Sequence, residues 1–258
     1  MEPIFSLCIP TRARVDFVER LLRSLIDTTD NIDRVEVLFM IDDDDIISHA
    51  YLNRCIERFS INIRLFTRPQ SEFLNEGYYN QLAPKATGRF CWILGDDLVF
   101  VKKGWDTLLI NKINDFLIAR PTEVLYISVK DDVERPPDAP PYANFPLISK
   151  EAIKVVGYFM PPTIPSWSGD YLIYLVYSHI MIGRVLEINE LILTHTKPNH
   201  VTMIEQDGSS NRQRKIYSKY DVLHRTKVYE EYELPQVRGK LISYIKNPKN
   251  RRTYEPLI

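Results

Sequence analysis

The run Arg89-Phe90-Cys91-Trp92-Ile93-Leu94-Gly95-Asp96-Asp97 decides the reading of this fold. Five residues with no charge among them, Phe90–Leu94, break without a spacer into a glycine and two acids. A short apolar run of this kind suits a strand covered on both faces, and the Gly-Asp-Asp that follows puts two carboxylates at its carboxyl end. The pattern occurs earlier as well, where Val35–Ile41 runs straight into Asp42-Asp43-Asp44-Asp45. Working outward, Ile4–Ile9 closed by Pro10 reads as a first strand, Ile61–Phe66 as a third and Val124–Val129 as a fifth. Between them the period changes to three and four. Val15, Val18, Leu21, Leu22 and Leu25 mark one helix, Tyr51, Leu52, Cys55, Ile56 and Phe59 another. Leu74, Tyr78 and Leu82 mark a third, stopped at Gly88, and Trp105 to Leu117 a fourth. Strands alternating with helices predict an α/β fold with a mostly parallel central sheet and helices on both faces. In such sheets the ligand crevice lies beyond the carboxyl ends of the strands, which is where both acidic clusters fall.

Composition narrows the function. Thirty-three Lys+Arg against 34 Asp+Glu give a net charge of −1, unlike a nucleic-acid binder, and 45% hydrophobic residues exclude a disordered chain. The nine glycines lie no closer than seven residues apart, which excludes both G-x-G-x-x-G and G-x-x-x-x-G-K-[ST]. Any nucleotide phosphate bound here is therefore held without a glycine-rich cradle. Cys8, Cys55 and Cys91 sit in apolar contexts without C-x-x-C spacing and read as reduced, buried thiols. The first residues lack the basic n-region of a signal peptide. The longest apolar stretch, 171–183, is too short to span a bilayer and contains Ser178 and His179. The expectation is a cytoplasmic protein with no transmembrane segment.

Past residue 130 the style changes. Eight of the 17 prolines fall between 136 and 165, a stiff irregular stretch of the kind that shapes a binding surface. Leu186–Leu193 reads as a late strand with His195 behind it, and from Glu205 the chain turns polar and basic.

Two adjacent carboxylates after a buried strand suit a hard divalent cation, Mn²⁺ or Mg²⁺, that keeps waters and takes phosphate oxygens. The same two residues also suit an Asx-type turn with no ligand. The 42–45 run reads either as a solvated loop or with Asp42 or Asp43 accepting hydrogen bonds from a nucleotide base or ribose.

Taken together and in order, these pieces resemble a family 2-type glycosyltransferase with the GT-A (nucleotide-diphospho-sugar transferase) fold. The pieces are Ile9-Pro10-Thr11-Arg12-Ala13-Arg14, Met40-Ile41-Asp42-Asp43-Asp44-Asp45, the segment Asn75 to Gly88, and Trp92-Ile93-Leu94-Gly95-Asp96-Asp97 with Gly104-Trp105-Asp106 behind it. The resemblance covers roughly residues 4–200. It implies one GT-A unit over 1–204, with a nucleotide-sugar half (1–100) and an acceptor half (101–204), and a C-terminal appendage over 205–258 acting as a basic lid and tail.

The resemblance also implies roles. Thr11, Arg12 and Arg14 would touch the nucleotide and Asp42 or Asp43 its base, while Asn80 and Lys85 would face the sugar-nucleotide or its diphosphate. Gly95-Asp96-Asp97 stands where the family writes D-x-D, with Asp97 as the direct metal ligand and Asp96 beside the nucleotide-sugar. Asp170, in Trp167-Ser168-Gly169-Asp170, matches the general base on the acceptor hydroxyl. It also suits a helix N-terminus. His195 matches an added metal or diphosphate ligand, with His200 as a substitute. Trp167 and Tyr142 would offer aromatic faces to an acceptor sugar. Arg212, Arg214, Lys215 and Lys219 would close as a lid over diphosphate, or simply be solvated.

The implied activity is transfer of a sugar from a UDP- or GDP-sugar to an acceptor hydroxyl in glycan or glycoconjugate synthesis. Alternatives are a sugar-phosphate nucleotidyltransferase, which usually has a glycine-rich loop that Pro10–Val15 lacks, and a non-catalytic nucleotide-sugar-binding module. Lys246, Lys249, Arg251 and Arg252 would permit peripheral membrane contact.

Overall fold

A computed structural model describes residues 2–134, 138–166, 168–196, 209–251 and 255–258, with 209–213 described in backbone only. The first half builds β1 (Phe5–Pro10), α1 (Val15–Thr28), β2 (Val35–Asp42), α2 (Ile46–Arg58) and β3 (Asn62–Arg68). A π-turn (Asn75–Tyr79), the single turn α3 (Asn80–Leu82) and a 3₁₀ turn (Ala83–Lys85) then lead to β4 (Phe90–Ile93). There follow β5 (Leu98–Phe100), α4 (Trp105–Ala119), β6 (Tyr126–Lys130), β7 (Leu147–Ser149), α5 (Lys150–Val156) and α6 (Gly169–Ser178). The chain continues through β8 (Val185–Leu191), β9 (Leu193–His195), α7 (Ser209–Lys219) and α8 (Val222–Val228), then a second π-turn (Tyr229–Glu233) and α9 (Leu234–Lys246).

Seven strands form one sheet in the order β3-β2-β1-β4-β7-β6-β8. β1 to β4 run parallel, β7 is antiparallel to both its neighbours, and β6 and β8 are parallel to each other. The expected mostly parallel sheet with helices on both faces is what forms.

Alternation along the strands divides the core in two. Phe5, Leu7 and Ile9 of β1 with Val37, Phe39 and Ile41 of β2 pack under α1, α2 and α4. Cys8, Leu38, Met40, Cys91 and Ile93 point the other way, under Leu82 of α3 and residues of α5, α6 and α9. Both faces are covered, which is why these strands read as continuous apolar runs. Cys8, Cys55 and Cys91 are buried and unbridged.

One charge breaks the pattern. Glu36 of β2 is fully buried; it accepts from Ser6 Oγ (2.6 Å), from the backbone N–H groups of Thr87 (2.6 Å) and Gly88 (3.2 Å), and from Arg64 (3.2 Å). This clasp ties the turn before β4 to β1 and β2. Burial works against the Glu36 charge, but the Ser6 and Thr87 hydrogen bonds offset it, and its carboxyl lies below the usual range.

The end of the chain departs from its sequence reading. Val222, Tyr229, Leu234, Val237 and Leu241 are buried in the same core as α5 and α6, so α8 and α9 are part of the domain and not an appended tail. In α9 the buried Leu234, Val237 and Leu241 keep the three-and-four spacing of one helical face, a signal the sequence reading passed over among the surrounding charges. Leu257 inserts into the other core, and the Asn114 side chain of α4 bonds both its carbonyl (3.2 Å) and its N–H (2.9 Å). No helix among the described residues is long and apolar enough to cross a membrane.

Candidate active site

The carboxyl ends of β1, β2 and β4 meet at one edge. After Pro10 the loop turns through Ala13, whose φ of +53° is left-handed, and the Ala13 N–H donates to Asp45 (2.8 Å) and Ser48 Oγ (2.9 Å). Asp45 also accepts from the Ser48 N–H (3.1 Å) as the N-cap of α2, so the last acid of the 42–45 run is structural. The bend splits the loop's side chains between two acidic turns. Arg12 reaches Asp42 (2.7 Å) and holds Asp44 through two contacts (2.5 and 3.0 Å). Thr11 Oγ1 donates to Asp96 (2.6 Å), and Arg14 lies 2.6 Å from Asp96 and 3.7 Å from Asp97.

The π-turn contributes two hydroxyls the sequence reading missed. Tyr78 donates to Asp42 (2.5 Å) and Tyr79 to the Leu94 carbonyl (3.3 Å), bracing the ends of β2 and β4 from one side. The extra residue of a π-turn lets two consecutive tyrosines point inward, which an α-helical reading does not anticipate. Asp43 is exposed, its N–H donating to the Arg68 carbonyl (2.7 Å), so Asp42 is the acid built into the site.

The two aspartates after β4 differ. Asp96 is buried, and burial pushes its carboxyl up to about 7; Arg14 pulls it down and Asp97 pushes it up. The Asp97 side chain is 26% exposed. A Cβ at Gly95 would stand 2.6 Å from Asp97 Oδ1, so glycine leaves room for the Asp97 carboxylate where it lies. β5 leads away at once and pairs with β9, and Thr196 donates its N–H to the Asp97 carbonyl (2.9 Å). His195 is thereby set opposite Leu98, one residue past the acidic turn. Asp132, just beyond β6, was not singled out from sequence and bonds the His195 ring (2.7 Å). Burial opposes the Asp132 charge, but the His195 ring and N–H outweigh it and hold the carboxyl low.

Asp170 lies in the first turn of α6, half-buried, behind Ser168 in a left-handed conformation (φ +72°). Asn75, four residues before Tyr79, donates to the Ile164 (2.8 Å) and Ser166 (3.2 Å) carbonyls and fixes the approach to that helix. Tyr142 meets Tyr171, the next residue of α6, with ring centroids 5.6 Å apart. Trp167 and His200 lie outside the described residues.

Two positions carried over from the resemblance serve elsewhere. The Asn80 amide donates to Glu76 (2.8 Å) and the Met160 carbonyl (2.8 Å) and accepts from the Phe159 (3.0 Å) and Met160 (2.8 Å) N–H groups. That exhausts its hydrogen-bonding capacity, so it holds the 159–160 backbone instead of facing a sugar. It lines a cavity of about 840 Å³ that shares no residue with the acidic cluster. Lys85 is exposed, its ammonium 5.1 Å from the Phe66 ring centroid, ahead of β4 and away from that strand's carboxyl end. At the opposite, open edge, Lys219 pairs with Glu72 (2.5 Å) in the loop after β3, so α7 is docked there by a surface ion pair. Arg214 and Lys215 are exposed, and the Arg212 side chain lies outside the description.

The family model described as glycosyl transferase family 2 matches residues 6–139. The chain belongs to glycosyl transferase family 2. No curated protein matches its sequence significantly. Among solved structures, the mannosyltransferase PcManGT from Pyrobaculum calidifontis, in complex with GDP-Man and Mn²⁺, is 17% identical with a TM-score of 0.61, over 94% of this chain and 74% of that one. S. aureus TarS 1-349 in complex with UDP is 15% identical with a TM-score of 0.55, over 74% of this chain and 60% of that one. The UDP-GlcNAc complex of the same TarS fragment gives 16% and 0.56. At these identities the likeness is one of fold, and it is the GT-A fold. This family 2 chain spans about 60% of the TarS fragment's length. The region matched by the family model contains the loop, Asp42 and both aspartates, whereas Asp170 and His195 lie beyond it.

Among the described residues no three His, Cys, Asp or Glu side chains converge as a ready-made metal cage. What the edge does offer is one half-exposed carboxylate, Asp97, with Asp96 behind it. That donor set fits a hard cation that keeps several waters and completes its shell with substrate phosphate oxygens.

Proposed function

We propose that this chain transfers a hexosyl group from a UDP- or GDP-sugar to an acceptor hydroxyl, with Mn²⁺ or Mg²⁺ held by Asp97 and by His195 on the adjoining strand. The observation that supports this most is the convergence of the 11–14 loop, Asp42 and Asp96-Asp97 on one sheet edge. Asp42, fixed by Tyr78 and Arg12, accepts from the base or ribose. Arg14 neutralises Asp96 and leaves Asp97 as the carboxylate open to a cation. When bound, the metal supplies charge to stabilise the departing diphosphate. Thr11, Arg12 and Arg14 order the donor side, and exposed Arg214 and Lys215 on docked α7 add positive charge near the open edge. Tyr142 and Trp167 offer the acceptor an apolar face, and Asp170 takes the proton of its hydroxyl. Three buried, unbridged thiols favour a cytoplasmic setting.

The test is a nucleotide-sugar screen with and without Mn²⁺. Thermal stabilisation by UDP or GDP with metal, together with release of the nucleoside diphosphate on adding acceptor, is the expected result; neither response with any donor sinks the proposal. For the acceptor side, Asp170→Asn should lower kcat about 10²–10⁴-fold with donor affinity unchanged. A fall in UDP affinity instead would move Asp170 out of the acceptor site.

A further inference from the structure

Asp132 holds His195 at two points. Its Oδ1 lies 2.7 Å from Nδ1 of the ring, and its Oδ2 accepts the His195 backbone N–H at 3.0 Å. The ring is largely buried and tilts against Phe145, with centroids 5.8 Å apart, and β9 fixes its backbone against β5. A carboxylate only accepts hydrogen bonds, so the shared proton sits on Nδ1 and the lone pair of the neutral ring on Nε2. The two residues are 63 apart in sequence and come from different strand ends.

We propose that Asp132 is a positioning residue: it fixes His195 in the Nδ1–H tautomer so that Nε2 can serve as a ligand on the donor side of the site. The inference rests on the metal reading given under Proposed function. A carboxylate behind a ligating imidazole orients the ring and raises its basicity. The two-point hold makes the choice of tautomer depend on both carboxylate oxygens at once. Asp132→Asn should therefore do more than remove a charge. The backbone N–H can only donate, so the amide oxygen must turn to it. The amide NH₂ then faces Nδ1 and donates to it, which drives the ring proton to Nε2 and consumes the lone pair.

The experiment uses the full chain. In the metal-free protein, ¹⁵N spectra of labelled histidine should show His195 with a protonated Nδ1, and Asp132→Asn should move the proton to Nε2. Mn²⁺ affinity in the presence of UDP, read by calorimetry, should fall about 10–100-fold in Asp132→Asn. His195→Ala should cost as much, and the double variant no more than His195→Ala alone. A wild-type ring protonated on Nε2, an unchanged tautomer in Asp132→Asn, or additive losses in the double variant would each overturn the proposal. If His195→Ala keeps wild-type affinity while Asp97→Ala loses it, the roles of Asp132 and of His195 as a ligand fall, and only the Asp97 part of the metal reading stands. If neither changes affinity, the metal reading falls as well.

Discussion

Asp97→Ala is expected to lower sugar transfer by at least about 10²–10³-fold, the scale set by losing one preorganised group that stabilises developing charge. The fold should survive this change. The Asp97 side chain is partly exposed and its tie to β9 runs through the backbone carbonyl, which alanine keeps. Asp96 also retains Thr11 and Arg14 as partners. The variant should therefore melt close to wild type while losing the extra stabilisation that Mn²⁺ gives in the presence of UDP or GDP. Turnover within twofold of wild type, measured as nucleoside diphosphate release, would remove Asp97 from the centre of the reaction. The companion substitution Asp96→Ala tests a different property, because that carboxylate anchors the 11–14 loop.

The largest effect on stability is expected at Glu36, far from the chemistry. Glu36→Ala leaves two backbone N–H groups, the Ser6 hydroxyl and Arg64 without their shared acceptor inside the sheet. Breaking a buried charged network in this way costs about 3–5 kcal/mol. For a chain of this size that lowers Tm by on the order of 10 °C. The pH dependence has a definite sign. The folded carboxyl lies below its ordinary value of 4.5, so its contribution is complete above that pH and lost as the pH falls through the folded value. The Tm gap between wild type and Glu36→Ala should therefore be full at pH 7 and narrow below about 4.5. A constant gap across that range would assign the loss to packing and not to the carboxylate.

The legible parts of this molecule are those where burial on two faces forces a long apolar run. β1, β2 and β4 could be read because helices cover both sides, and the aspartates could be read because they follow such runs directly. β5, β7 and β9 have three residues each, too few to show any period. Yet β5 and β9 bring His195 to the acidic turn. Asp132 gave no signal because its partner lies 63 residues away, past the proline-rich stretch. Asn80 was legible as a position in a pattern but not in its role, since its four hydrogen bonds reach backbone some 80 residues further on or a neighbouring acid. Local pattern announces what a strand end presents. It is silent about which distant groups meet there.

Leu257 carries a consequence for how this core is completed. The core it enters is otherwise built chiefly from the first 130 residues, a succession of neighbouring strands and helices that associate over short loops. Asn114 closes on residue 257 over a separation of 143. A contact of that span costs more chain entropy to close than the local pairings do, though the cost grows only slowly with length. The packing against α4 thus depends on a side chain from far along the sequence as well as on its local neighbours. That core is complete only where a segment 143 residues beyond Asn114 has closed on it.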